Sequence, residues 1–348
     1  MDNSFDKYFG RIGGIVTIIS TIITPQLSIR HQLWLWGFLI SIFLLWLSNF
    51  LGRKATTKRI ENSVAKQPFS EALIDFFEQK KLEGKDAEII RWGLSLSTPL
   101  WLSQKYEIRK KIGEYIEIAA INRDNYRALI KVLVDDIGWT SVEMLQYSFA
   151  ETKLNQGVFE ATKHSDYAFL AKAYRHLNAS SIRQNLISKA ENYLQLSLDA
   201  TNRLDGGIEK DELIAEYYFA KATIELKKGI NEAALTSIEQ AVNLYEKIKD
   251  KEWPLKILAR KGEILINLNR VDEAKKIFLK GIKISTDLQY NRQKVKNEIG
   301  LGLCYSTIGH NKTALEHLTN AELLADSIGM YYELELIKRE KIKLNNRI

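Results

Sequence analysis

Residues 222–241 read ATIELKKGINEAALTSIEQA, and two later stretches align with them without gaps: GEILINLNRVDEAKKIFLKG at 262–281 and GLCYSTIGHNKTALEHLTNA at 302–321. Each copy starts about 40 residues after the one before it. A fixed period of this length is typical of proteins in which one small structural unit is repeated along the chain. The fold is therefore expected to be a stack of similar units.

The aligned positions carry small and large side chains in a constant order. Two antiparallel helices need small side chains where their axes approach, and a large apolar side chain fills the groove between them. Turn-forming residues separate the two halves of each copy, at 229–231, 269–272 and 309–311. The repeating unit is therefore predicted to be a helix hairpin. The matching positions are Ala222, Ala234, Ile238 and Ala241; Gly262, Ala274, Phe278 and Gly281; Gly302, Ala314, Leu318 and Ala321.

The same pattern extends towards the N-terminus. Gly138, Ala150, Leu154 and Gly157 share these offsets, and Ala190 and Leu194 continue the pattern with a longer first half. A degenerate copy passes through four further positions, with Tyr106 in the place of Tyr147. Five repeats are predicted, and a sixth if the degenerate copy is counted. The degenerate positions are Ser97, Arg109, Gly113 and Ile116.

The spacing of small and bulky residues, with Gly138-Trp139 and Leu145-Gln146-Tyr147 ahead of Ala150, resembles the tetratricopeptide repeat family. The resemblance covers residues 83–329. It departs from the family in repeats longer than the usual 34 or so residues and in the absence of the closing proline. It implies an all-α fold, a right-handed α-solenoid of helix hairpins over residues 69–329. The charged segment 330–348 is expected to form a C-terminal capping helix.

An uncharged run of 19 residues, LWLWGFLISIFLLWLSNFL at 33–51, has the length needed to cross a bilayer as a helix. Trp34, Trp36 and Trp46 lie near its ends, where indole rings favour the membrane interface. A buried helix of a soluble protein is the alternative. The basic linker at 52–68 carries Arg53 and Lys54 directly after the run, which predicts that the C-terminal side stays in the cytoplasm.

A second apolar segment at 12–24 reaches spanning length only as residues 8–27. The predicted membrane anchor, residues 1–51, therefore contains one or two transmembrane helices, and a cleavable signal peptide is the alternative for the first segment. Small residues three or four apart, such as Gly10 and Gly14, favour packing within one hairpin, with a homo-oligomer as the alternative. The expected location is a membrane, the bacterial inner membrane, with the solenoid in the cytoplasm.

The charge distribution disfavours a nucleic-acid partner. The formal net charge is +7, but the residues before Gln67 contribute +5 of it and leave only +2 for the solenoid. Aromatic residues do not alternate with clusters of arginine and lysine there.

Motifs for catalysis or for cofactor and metal binding are not found. The five histidines lack paired metal-ligand spacing, and Gly206-Gly207 lacks the lysine of a phosphate loop. The single cysteine, Cys304, is predicted to be a buried structural thiol. Asp135 and Asp136 are expected to face solvent or to pair with a nearby arginine or lysine. An enzymatic function, a cofactor and a metal are therefore not expected.

The resemblance implies that first helices line a concave surface that binds a peptide or a protein segment. Two functions remain open: a membrane-anchored adaptor that recruits a protein partner, and a membrane-perturbing effector of the bacterial defence type whose repeats are a sensor. The candidate partner-binding residues are polar or aromatic positions on the first helices: Tyr167, Lys172, Arg175, Tyr217, Lys221, Arg260, Lys261, Lys294, Asn297 and Glu298.

Overall fold

A computed structural model describes residues 67–248 and 253–346, and over these residues the chain is helical without a strand. The sequence-based prediction of an all-helical solenoid of tetratricopeptide-like hairpins is thereby confirmed for this part of the chain. In order, the helices are α1 (Gln67–Leu82), α2 (Asp86–Leu102), α3 (Tyr106–Asn122), α4 (Tyr126–Lys131), a π-helical segment π1 (Val132–Trp139), α5 (Thr140–Glu143), α6 (Tyr147–Lys163), α7 (Tyr167–Arg183), α8 (Ile187–Asn202), α9 (Ile208–Lys227), α10 (Asn231–Ile248), α11 (Trp253–Asn267), α12 (Val271–Asp287), α13 (Asn291–Thr307), α14 (Asn311–Ser327) and α15 (Tyr331–Asn345).

Consecutive helices pack in pairs, and each pair packs on the next. The first helices of the pairs are α2, the continuous run α4–π1–α5, α7, α9, α11 and α13, and the second helices are α3, α6, α8, α10, α12 and α14. Each hairpin covers the apolar face that its neighbour leaves bare, so the core is a series of linked clusters along the array. The last helix, α15, closes the array by burying Ile337 and Leu344.

The small and large positions of the repeat meet as the sequence predicted. A Cβ atom on Gly138 would lie 2.6 Å from a methyl carbon of Leu154, and a Cβ atom on Gly302 would lie 3.0 Å from Leu318 Cγ. Leu154 and Leu318 are both fully buried. The repeat therefore depends on close approach of the two helices at the glycine positions, where a larger side chain would collide with the partner helix.

The predicted turns also form. After α9, Gly229 adopts a φ of +76°, and the Ile230 N–H donates to the Glu225 carbonyl at 2.9 Å. After α11, Asn269 adopts a φ of +58°, and the Arg270 N–H donates to the Leu265 carbonyl at 2.8 Å. These bonds satisfy carbonyl groups that the end of a helix leaves free, which fixes where each helix stops.

The predicted transmembrane helices at 8–27 and 33–51 and most of the basic linker at 52–68 lie outside the described residues. Among the helices that the structure does describe, none combines the length and the hydropathy that a membrane crossing requires. Helix α1 starts at Gln67, so the last two positions of the predicted linker belong to a helix.

Candidate functional site

The first helices form the inner face of the array. Each of them contacts the first helix of the next repeat, as π1 does with α7, α7 with α9, α11 with α13, and α13 with α15. Neighbouring elements come closest on the inner side of a curved array, so these helices line its concave groove. The side chains that they direct towards one another define the candidate site.

Charged side chains link successive first helices along this face. Lys172 on α7 lies 3.0 Å from Asp135 on π1, and Arg175 on α7 lies 2.6 Å from Glu216 on α9. The guanidinium of Arg260 on α11 lies over the ring of Phe219 on α9, 5.7 Å from its centroid, and pairs with Glu263 on its own helix. Lys172, Arg175 and Arg260 are partly exposed, so water or a partner reaches them.

The other predicted partner-binding residues lie in different surroundings. Tyr167 packs on the apolar cluster around Ala171, and Tyr217 makes an edge contact with Tyr218. Lys221 lies 3.9 Å from Glu225 on the same helix, and Lys294 is half-buried on α13.

Three of the candidates point to second helices instead of the groove. Lys261 pairs with Glu239 of α10 at 3.0 Å, and Glu298 pairs with His317 of α14 at 2.8 Å. Asn297 is fully buried, and its amide occupies the space beside Gly281 of α12. In this structure Asn297 offers no surface to a partner.

The π-helical segment brings a buried ion pair beside the groove. Arg109 of α3 lies 2.6 Å from Asp136, with side-chain exposures of 6% and 2%. Arg109 also donates to the Asp135 carbonyl at 2.8 Å and to the Thr140 hydroxyl. A π-helix leaves backbone groups out of the ordinary α-helical pattern, and π segments recur at functional sites. The guanidinium supplies a partner for one such carbonyl.

His176 is buried next to this segment. Its imidazole stacks on the indole of Trp139, with centroids 4.5 Å apart, and its Nε2 lies 3.6 Å from Asp135 Oδ1. Burial lowers the pKa of His176 to about 3, so the ring is neutral at ordinary pH. Burial alone would raise the pKa of Asp135, but His176, Lys172 and Lys131 hold it well below its usual range. Asp135 is therefore a fixed negative charge.

A second buried carboxylate joins hairpins that are far apart along the array. Glu143, on α5, is 2% exposed and receives a bond on each oxygen: from Arg183 of α7 at 2.7 Å and from Arg292 of α13 at 2.7 Å. Burial acts to raise the pKa of Glu143, but the two guanidiniums hold it well below its usual range. Arg292 also donates to the Tyr106 hydroxyl at the start of α3.

Aromatic rings support both arginines. Arg183 lies 5.3 Å from the Trp139 centroid and 5.0 Å from the Tyr332 centroid, and Arg292 lies 5.2 Å from the Trp101 centroid. Such contacts are attractive because the ring face is electron-rich. We call the group that spans the array the closure cluster. Its members are Trp101, Tyr106, Glu143, Arg183, Arg292 and Tyr332.

Sequence reasoning missed the closure cluster, although it contained a partial signal for the neighbouring Arg109 pair. Ser97 and Arg109 stand in the degenerate copy where other repeats have small residues. Both are buried, and Arg109 donates to the Ser97 carbonyl at 3.1 Å. Other repeats carry glycine or alanine at these positions. Because buried polar groups need hydrogen-bond partners, this repeat is packed differently from the others.

The described residues contain no group of histidine, cysteine and carboxylate side chains arranged to hold a metal ion. Cys304 is buried at 1% exposure, as predicted, and burial raises the pKa of its thiol to about 11. The groove presents charged and aromatic side chains, among them Lys172, Arg175 and Phe219.

Comparisons with known proteins agree with this fold. The tetratricopeptide repeat family model matches residues 255–287. A Rap protein complexed with competence and sporulation factor is similar over 98% of this chain and 98% of that one, with 11% identity and a TM-score of 0.57. The apo form of the quorum sensor NprR from B. thuringiensis is similar over 97% and 99% of the two chains, with 14% identity and a TM-score of 0.52.

A signal transduction ATPase with a tetratricopeptide repeat sensor, from Pyrococcus horikoshii, aligns with 83% of this chain at 17% identity and a TM-score of 0.49. This chain spans only 41% of that protein. No curated protein matches the sequence significantly. At these identities the likeness concerns the fold alone. Over the described residues the chain is an all-helical solenoid of tetratricopeptide-like repeats.

Proposed function

We propose that the chain is a membrane-anchored adaptor that binds a protein or peptide segment in its inner groove. The observation that carries the proposal is the row of charged side chains on successive first helices, formed by Lys172, Arg175 and Arg260 with their partners. The apolar side chains of the repeats are buried between helices, so the side chains that face the groove are polar or aromatic. Polar and charged side chains select a partner by the complementarity of its charges and geometry more than by the buried surface area.

An extended peptide suits a groove of this kind. The cations of the groove pairs keep 20–37% of their side-chain surface exposed, so the charged groups of a partner can reach them. The Rap protein of similar fold is complexed with competence and sporulation factor. The similarity in fold supports the same general mode of binding here, with a partner that carries both acidic and basic groups.

The anchor is the second part of the proposal, and it rests on the sequence. Residues 33–51 form an uncharged run of 19 residues followed by Arg53 and Lys54. Tethering to a membrane raises the local concentration of a binding module, so modest affinity for the partner suffices. The location proposed is the bacterial inner membrane, with the solenoid on the cytoplasmic side.

The binding proposal is tested by affinity capture with the full-length chain and two variants. Arg175→Ala/Arg260→Ala alters the groove, whereas Lys189→Ala removes an exposed ion pair with Glu151 between second helices. We expect the wild type and Lys189→Ala to retain the same protein, and the groove variant to retain at least tenfold less of it. Equal retention by all three would refute the groove as the binding surface.

The anchor is tested separately by cell fractionation. Full-length chain is expected in the membrane fraction after alkaline extraction, and a chain that lacks residues 8–51 in the soluble fraction. Alkaline extraction of the full-length chain into the soluble fraction would contradict the anchor and leave the groove proposal standing.

A further inference from the structure

Contacts across the groove connect repeats that are far apart in sequence. Arg292 and Glu143 are separated by 149 residues, and Arg292 and Tyr106 by 186 residues. Arg183 lies over the ring of Tyr332, at the start of the terminal helix α15. The array therefore curves far enough for its last described hairpin to touch its first ones.

These contacts differ in chemistry from the apolar core contacts between neighbouring repeats. The seam between the last two repeats is apolar and fully buried where Phe278 of α12 packs against Gly300 of α13. The closure cluster is ionic and aromatic, and the Arg292 side chain keeps 18% of its surface exposed. Water therefore has access to the side chain that makes the long-range contact, whereas the apolar seam at Phe278 is closed to it.

The two arginines of the closure cluster have unequal positions. Glu143 and Arg183 belong to consecutive first-helix elements, since α5 continues from π1 and π1 packs on α7. If Arg292 moved away, Glu143 would keep its bond to Arg183 and would not become an unpaired buried charge. Arg292 could then be hydrated. The cost of separating this contact is therefore lower than the cost of breaking a lone buried pair.

We propose that the contact of Arg292 with Glu143 and Tyr106 is a reversible latch that holds the superhelix closed. With the latch made, the last described hairpin lies against the first ones. With the latch broken, the contact of Arg183 with Tyr332 remains, and the array opens by small changes summed over its repeats. The latch is a property of the chain without any partner, so it goes beyond the proposed adaptor function and does not depend on it.

The test is a distance measurement in the full-length chain. Spin labels are placed at Lys111→Cys on α3 and Arg339→Cys on α15, two side chains with 54% and 73% exposure, in a Cys304→Ala background. Electron–electron resonance then gives the distance distribution between the labels. Arg292→Met breaks the latch. Lys153→Met is the matched control, because Lys153 forms a 2.7 Å pair with Glu117 at 17% exposure, but between neighbouring second helices.

We expect one short, narrow distance distribution in the unmutated chain and in Lys153→Met, and a longer and broader one in Arg292→Met with unchanged helical circular dichroism. If Arg292→Met loses helix, Arg292→Gln is measured in its place, since it keeps a polar group near Tyr106. The proposal is overturned if the distribution of the folded Arg292 variant coincides with that of the control. It is also overturned if the unmutated chain already shows the long, broad distribution.

Discussion

Arg109 and Asp136 form a 2.6 Å ion pair in which both side chains are almost completely buried. Arg109 comes from α3 and Asp136 from the π-helical segment of the next repeat, so the pair ties two hairpins together. The same guanidinium donates to the Asp135 carbonyl at 2.8 Å, and Asp135 in turn pairs with Lys172 in the groove. The Arg109–Asp136 pair thus helps to hold in place the π-helical segment that carries Asp135.

Replacing Arg109 by methionine is expected to destabilise the protein by about 3–5 kcal/mol, the usual cost of leaving a buried charge without its partner. Asp136 would remain buried and would lose its closest cation, with Lys131 Nζ 3.7 Å away and the Ser97 hydroxyl still donating to it; its second carboxylate oxygen already lacks a hydrogen-bond partner. The measurement is urea unfolding followed by helical circular dichroism.

Two further variants make this prediction specific. Arg109→Met/Asp136→Leu is expected to recover part of the loss, because an apolar pair of similar volume leaves no unpaired charge. Lys189→Met, which removes an exposed pair with Glu151, is expected to cost about 0–1 kcal/mol. An Arg109→Met midpoint equal to that of Lys189→Met would contradict the assigned role.

The packing of Phe278 gives a second prediction. Its ring is fully buried between two glycines, and a Cβ atom added at Gly300 would overlap a ring carbon. Gly300→Ala is therefore expected to destabilise the protein by about 1–3 kcal/mol through overpacking. A shift of the thermal midpoint to lower temperature would report it.

The matched control for Gly300 is Gly206→Ala. An added Cβ at Gly206 meets nothing within 4 Å, so no loss from collision is expected there. Phe278→Leu in the Gly300→Ala background is expected to restore part of the stability, since the smaller side chain makes room for the new methyl group. Failure of this second change to help would indicate that backbone effects dominate at Gly300.

The buried His176 predicts a pH dependence. Its pKa is about 3 in the folded chain, lowered by burial, against an ordinary value of 6.5. Below pH 6.5 the imidazole of His176 therefore binds a proton in the unfolded chain but not in the folded chain. Stability is then lost as the pH falls, by about 1.4 kcal/mol per pH unit below the unfolded pKa.

The window between about pH 6 and pH 5 isolates this effect, because carboxylates have ordinary pKa values near 4. His176→Phe keeps a ring against Trp139 and removes the titrating group, so its unfolding free energy is expected to fall less steeply over this window than that of the wild type. If the unfolding free energies of the two proteins fall equally steeply with pH, His176 is not the cause of the pH dependence.

Much of the fold follows from local features of the sequence. The small residue at 262 and the large one at 278 predicted a close helix contact, and the structure has Phe278 directly against Gly262. The turns at 229 and 269 were likewise predictable, because residues such as glycine and asparagine tolerate the positive φ found there. These contacts lie within one repeat, where spacing alone determines which residues meet.

The closure cluster was not predictable in the same way. Whether Arg292 reaches Glu143 depends on the twist summed over several intervening repeats, and a small change per repeat moves the two ends by a large distance. The surroundings of Asp136 were predicted only in part: it pairs with an arginine, but it is buried. Asn297 was a candidate for partner binding on its polarity, and the structure places it against Gly281.

Cys304 provides a final prediction, because its reactivity depends on the packing of α13. The thiol is 1% exposed, and burial raises its pKa from 9.0 to about 11, which lowers the thiolate fraction about a hundredfold at neutral pH. We expect the native chain to react with a thiol reagent at least about a hundredfold more slowly than the same chain in denaturant. Ser95→Cys in a Cys304→Ala chain, at an exposed position of α2, is the control and should react at similar rates in both conditions. Fast labelling of native Cys304 would mean that α13 separates from its neighbours often enough to admit the reagent, and the seam around Leu301 and Cys304 would then be looser than the structure shows.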